Sequence, residues 1–139
     1  MKVTGAFLAE KADAVNGALH VEGGVVARLS EDPGSGNQLV SLVVLVQGDG
    51  QGKDEDKTIR LALESLSAEA GQVGGQEWTE TVHDSALHHR AGGFSISDLQ
   101  FSKSDLPVDG WYTLTVTGPG GEKFMIAFYV GTQPAAASP

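Results

Sequence analysis

Three of the four histidines crowd into one short stretch, His83-Asp84-Ser85-Ala86-Leu87-His88-His89-Arg90. A metal centre needs neutral imidazoles and carboxylates converging on one cation. His83, His88 and His89 with Asp84 supply the ligand types. Their arrangement argues against the site, because adjacent side chains on an extended segment point apart and Arg90 repels a cation. The same stretch holds the residue types of a Ser-His-Asp triad in Ser85, His83 and Asp84. Immediate neighbours cannot adopt triad geometry, and the sequence contains no Gly-x-Ser-x-Gly elbow. The segment therefore reads as a solvated loop, and small-ligand or metal binding through His83, His88 and His89 stands as a secondary reading.

A second chemistry-bearing run is Gly48-Asp49-Gly50-Gln51-Gly52-Lys53-Asp54-Glu55-Asp56-Lys57. A phosphate-binding loop needs glycine where Gln47 stands and Ser or Thr where Asp54 stands, so nucleotide binding fails twice. Asp49, Asp54, Glu55 and Asp56 offer oxygen ligands for calcium. Their spacing does not fit an EF-hand, and Lys53 and Lys57 offset the charge. A solvated hairpin tip is the simpler account, and no cofactor or metal is expected. With no nucleophile, base and orienting group at workable spacing, the chain is not expected to be an enzyme.

Composition narrows the partners. The net charge of −9 and the scatter of nine basic residues disfavour nucleic acid, which requires clustered Lys and Arg. Anionic membrane surfaces are disfavoured on the same ground. The absence of cysteine excludes disulfides and thiolate metal sites. Val3–Ala9 is too short for a signal-peptide core or a membrane span and reads as a first strand. No Asn-x-Ser/Thr sequon occurs, so a cytoplasmic location is the expectation.

The elements that would carry these residues are strands. Tyr112, Leu114 and Val116 alternate with Thr113, Thr115 and Thr117, and Phe124, Ile126, Phe128 and Val130 resume that period after Gly118-Pro119-Gly120-Gly121. A period of two on both sides of a Gly/Pro turn predicts a hairpin whose apolar faces are buried together. Asn16-Gly17 predicts another, since both turn positions need positive φ, with Gly23-Gly24 turning the chain into Val25–Leu29. Further strands are expected over Val3–Leu8, Leu39–Gln47, Thr58–Leu66, Glu77–Val82 and Gly93–Leu99, the last with Phe94 and Ile96 on one face. Leu63–Ala70 is the sole helical rival and is too short to be stable alone. About nine strands at near-regular spacing predict a single immunoglobulin-like antiparallel β-sandwich, all-β, over residues 1–130. An extended Ala/Pro tail over residues 131–139 should lie outside it.

Phe7-Leu8-Ala9-Glu10 followed by Asp13-Ala14-Val15-Asn16-Gly17-Ala18-Leu19-His20-Val21-Glu22-Gly23-Gly24 resembles the N-terminal signature of an uncharacterised family of small bacterial proteins. That signature joins a hydrophobic first strand to a Gly-x-Leu-x-Val-x-Gly-Gly hairpin. The family's ending is similar to Leu106-Pro107-Val108-Asp109-Gly110-Trp111-Tyr112 and Phe128-Tyr129-Val130. The sequence departs from the pattern at Val25, where a third glycine is common, and in the loop Gly48–Asp56. The resemblance implies a β-sandwich and lends no catalytic residue.

The clearest functional signal is apolarity on both sides of a strand. Leu39, Val43 and Leu45 share one face of Leu39–Gln47 while Val40, Leu42, Val44 and Val46 fill the other. In the closing strand Met125, Ala127 and Tyr129 lie opposite the core-facing residues, and Trp111 shares the parity of the Thr-rich outer face. Sheets with one solvated face alternate apolar with polar, and monomers rarely expose large apolar patches. Either a loop or the tail of the chain covers these faces, or Leu39, Val43, Leu45, Trp111, Met125 and Tyr129 are the expected interface. They point to a non-enzymatic protein-interaction or assembly module that meets a protein partner or a second copy through an apolar sheet face. One form of this is an accessory virion protein of a bacteriophage, fixed to a shell, in which case the location is the virion.

Overall fold

A computed structural model describes residues 1–26, 28–29, 38–48, 55–66, 76–84, 92–102, 104–106 and 109–131. They form nine strands: β1 (Lys2–Val15), β2 (Ala18–Gly24), β3 (Arg28–Leu29), β4 (Gln38–Gln47), β5 (Glu55–Ser65), β6 (Gln76–Asp84), β7 (Gly92–Phe101), β8 (Gly110–Thr117) and β9 (Lys123–Val130). These build a four-stranded sheet in the order β2-β1-β4-β7 and a five-stranded sheet in the order β3-β9-β8-β5-β6. Every pairing is antiparallel except β3 with β9. The run β6-β5-β8-β9 opposite β1-β4-β7 is the immunoglobulin-like arrangement.

The hairpins form where the turn chemistry allows. Asn16 and Gly17 both adopt positive φ, 51° and 78°, which is the type I′ geometry that matches strand twist. At the other hairpin the Gly118 N–H donates to the Glu122 carbonyl (2.8 Å) and the Gly121 N–H to the Gly118 carbonyl (3.0 Å). Glu122 then turns back and accepts the Val3 N–H at Oε1, 2.8 Å away. Its carboxylate occupies the space a Cβ at Gly118 would need, so a larger residue there would displace Glu122 from the Val3 N–H. One side chain thus fastens the last hairpin to the first strand.

The core lies between the sheets. β4 contributes Val40, Leu42, Val44 and Val46, β5 contributes Ile59, Leu61 and Leu63, and β8 contributes Tyr112, Leu114 and Val116. Phe128 stacks on Tyr112 and on Phe101 with centroids 5.8 and 6.2 Å apart, so aromatics from both sheets meet at the centre. The register expected for the closing hairpin holds, with Ile126 and Phe128 inside and Met125 outside. Phe124 is only half-buried, packed against the cluster. It stands one residue into β9, opposite Val116, where the sandwich opens towards the turn.

At the expected Gly23-Gly24 turn β2 ends, its last pair joining Gly24 to Ala9. A Cβ at Gly24 would stand 2.6 Å from Val21 Cγ1, so a larger residue there displaces the Val21 side chain. Among the described residues of the expected Val25–Leu29 strand, the Val26 N–H donates to the Leu8 carbonyl at 2.7 Å and Arg28–Leu29 pair parallel to β9. The helical alternative fails at its start, since Leu63–Ser65 belong to β5. Residues 30–37, 49–54, 67–75, 85–91 and 132–139, including the expected tail, lie outside the described residues.

Candidate functional site

The six expected interface residues divide between opposite sides of the sandwich. Leu39, Val43 and Leu45 alternate outward from the four-stranded sheet. Trp111, Met125 and Tyr129 point outward from the five-stranded one. They cannot form one contact surface.

On the four-stranded sheet, register decides what meets. Phe7 of β1, Val43 of β4 and Ile96 of β7 stand directly opposite one another across three strands, and the next row holds Gly5, Leu45 and Phe94. Opposed side chains in antiparallel pairs are in contact range, and Leu45 Cδ1 lies 3.5 Å from the Cβ position of Gly5. Phe7 Cε2 and the Ala9 Cβ are 3.6 and 3.4 Å from the Cβ position of Gly24, which carries the apolar surface on to β2. Phe7, Phe94 and Ile96 are half-buried and Leu45 is 36% exposed. Val43, by contrast, is 0% exposed. A central-strand residue flanked by Phe7 and Ile96 is shielded by its neighbours, so Val43 is the floor of the patch and not a contact point. Leu39, 72% exposed, sits opposite Gln100, separated from the patch by Ser41. The Ser41 hydroxyl donates to Asp98 Oδ1 at 3.2 Å and forms its polar border.

The alternation in Gly93–Leu99 groups Phe94 and Ile96 correctly but does not reveal that this face is the outer one. Ser95 and Ser97 take the inner parity with Leu99 and Phe101, opposite Val44 and Leu42. Phe7, Phe94 and Ile96 are the site residues that sequence reasoning missed. Their signal was parity: Phe7 is in the same outward series as Gly5 and Ala9.

The five-stranded sheet presents a different surface. Trp111 and Tyr129 pair across β8 and β9, ring edge to ring face, with centroids 5.3 Å apart. From there Thr113, Thr115 and Thr117 run outward along β8 beside Glu64, Ala62 and Arg60 of β5. A shallow trough of about 520 Å³ lies over Ala62, with Arg60, Glu64, Glu77 and Lys123 around it. Met125 is 70% exposed but isolated, facing Thr115. Charges of both signs and a threonine ladder make this the solvated face.

Where the sheets part at their β6 and β7 edges, a groove of about 360 Å³ runs past Trp78, Glu80, Gln100 and Asp105. Asp105 Oδ2 accepts the Ser102 backbone N–H at 2.8 Å and the Ser102 hydroxyl at 2.9 Å. The backbone bond, above all, holds its carboxyl below the usual range against a smaller opposing effect of burial. These contacts serve the turn that ends β7.

The titratable clusters do not assemble into a site among the described residues. No group of three or more His, Asp or Glu there is placed to hold a metal ion. His83 and Asp84 end β6, opposite Asp56 and Glu55 of β5. Ser85, His88 and His89, like Asp49 and Asp54, lie outside the described residues. Among the described residues, no helix is long and apolar enough to cross a membrane.

The fold thus defines an immunoglobulin-like two-sheet sandwich with one apolar and one polar outer face. No protein-family model matches the sequence, and no curated protein matches it. Among solved structures, the chain is similar to a part of the β-glucosidase of Listeria innocua, at 11% identity and a TM-score of 0.51. That match covers 92% of this chain and 16% of the glucosidase, so the chain spans about a sixth of the enzyme. An immunoglobulin-like protein from Pseudomonas aeruginosa is similar over 93% of this chain and 94% of its own, at 12% identity and a TM-score of 0.46. At such identities the likeness extends to the fold alone.

Proposed function

We propose that the protein is a non-enzymatic interaction or assembly module, and that it meets its protein partner through the outer face of the four-stranded sheet. The observation that carries this reading is the pair of apolar rows Phe7–Val43–Ile96 and Leu45–Phe94 on a side where a sheet ordinarily alternates to polar residues. Contiguous apolar surface bordered by polar groups marks a contact site. The opposite sheet supplies an internal control, because the same fold there turns threonine and mixed charge outward.

The full chain, alone and after mixing with extract of its source cells, is examined by sedimentation velocity as wild type, Leu45→Glu and Met125→Glu. The reading expects a complex that Leu45→Glu abolishes and Met125→Glu retains, with unchanged unfolding midpoints. A complex lost only in Met125→Glu, or a monomer in every mixture, contradicts it. Purified protein is also expected to hydrolyse no ester, peptide or phosphate substrate.

A further inference from the structure

Among the described residues the sandwich ends in four edge strands, and sheets protect such edges with charge, proline, brevity or strong twist, because a bare edge templates further pairing. Three of the four are protected. β3 is two residues long. Apart from Gly24 opposite Ala9, β2 pairs with the part of β1 from Lys11 to Val15 that has no partner in β4. It therefore borders a two-stranded ribbon, the most twisted kind of sheet, and it bends at Gly23, where φ is 60°. β6 carries Glu77, Glu80 and Asp84 and no cation, so it repels a copy of itself.

β7 has none of these devices. It runs ten residues, Gly92–Phe101, without lysine, arginine or proline, and pairs with β4 in continuous register along its whole length. Its one charged residue, Asp98, accepts the Ser41 hydroxyl from the strand behind. Its outward residues Phe94 and Ile96 are the margin of the apolar patch, which ends here only because the sheet ends.

We infer that two copies of this chain join edge to edge through β7, antiparallel about a two-fold axis, and merge two four-stranded sheets into one of eight strands. This rests on the reading of the protein as an interaction module and names the partner as a second copy. A two-fold axis makes the contact self-complementary. The side-chain period of two restricts the register to pairs of equal parity. Centring it on Ser95 sets Phe94 against Ile96 of the second copy twice over, an aromatic–β-branched pairing that sheets favour. It also sets Asp98 against Gly92, so no acids meet. Centring on Ile96 or Ser97 would oppose Asp98 to Phe94 or to Ile96. In the Ser95 register the two apolar patches become continuous across the junction. The net charge of −9 on each copy opposes approach, and salt screens it.

The chain has no cysteine, which makes a one-cysteine test clean. Antiparallel partners directly opposite each other stand about 4.5–5.5 Å apart at Cα, within disulfide range. Ser95→Cys, Leu39→Cys and Met125→Cys are oxidised in the full chain at matched concentrations, with the unfolding midpoint of each reduced form checked first. The expected result is a covalent dimer that forms at least tenfold faster from Ser95→Cys than from the other two, and a wild-type dimer fraction that rises with added salt. A chain that stays monomeric at every concentration and salt overturns the inference. A dimer that cross-links faster through Leu39→Cys, away from the β7 edge, overturns edge pairing.

Discussion

The two outer faces of the sandwich solve the same problem in opposite ways. Across the middle of the five-stranded sheet the outward positions are Thr113, Thr115, Thr117, Ala62, Arg60 and Glu64, mostly polar or charged groups, of which Arg60 and Glu64 are exposed and Thr113 is buried. Across the four-stranded sheet the corresponding positions are Phe7, Val43, Ile96, Leu45 and Phe94. Both sheets bury apolar residues on their inner faces, so the core does not explain the difference. A sheet apolar on both sides belongs to a middle layer, and among the described residues this sandwich has only two layers. The proposed contact surface rests on this contrast.

Changes at the shared core should affect both faces alike and are the largest. Phe128→Ala removes the ring that stacks on Tyr112 and Phe101 and should cost about 3–5 kcal/mol, a large part of the roughly 5–15 kcal/mol of a typical domain. Urea denaturation measures it directly. Val43→Lys comes next, at about 1–3 kcal/mol, because the longer side chain must part Phe7 from Ile96 to bring its ammonium to water. The sequence alone predicts that this substitution weakens assembly and leaves the fold intact. The zero exposure of Val43 corrects that, and thermal unfolding of the isolated variant distinguishes the two outcomes.

A smaller effect depends on pH. Burial pushes the Glu122 carboxyl up, but the N–H groups of Val3, Glu122 and Gly120, together with the N-terminal ammonium, outweigh it and hold the group below its ordinary value of 4.5. A depressed folded-state value stabilises the protein fully above the unfolded one and loses that contribution as pH falls through the folded one. Stability should therefore decline below about pH 4.5, and Glu122→Gln should flatten that part of the profile in denaturant titrations at stepped pH. Smallest of all should be Leu45→Glu and Met125→Glu, each within about 0.5 kcal/mol of wild type as partly or largely exposed sites. If Leu45→Glu instead unfolds the monomer, the chain covers that face itself and the contrast between the faces disappears.

Much of this was legible in the order of residues. Tyr112 to Phe128 dictates its own hairpin because alternation and turn chemistry agree, and Asn16-Gly17 fixes the first turn by its φ requirement alone. Side selection was not legible. Phe94 and Ile96 alternate as core residues do, and only pairing with β4 in the observed register turns them outward while Ser95 and Ser97 face inward. The burial of Val43 likewise follows from flanking strands that lie far away in sequence. Separation of Leu45 from Met125 onto opposite faces depends on which sheet each strand joins, which is a property of topology.

Hydroxyl-radical footprinting of the protein, dilute and monomeric against fully assembled, tests the central claim most directly, because it reports each side chain's loss of solvent on contact. Protection of Phe7, Leu45, Phe94 and Ile96 is expected, with Trp111, Met125 and Tyr129 labelled equally in both states. Protection of Trp111, Met125 and Tyr129 while Leu45 and Phe94 remain fully labelled would contradict that claim.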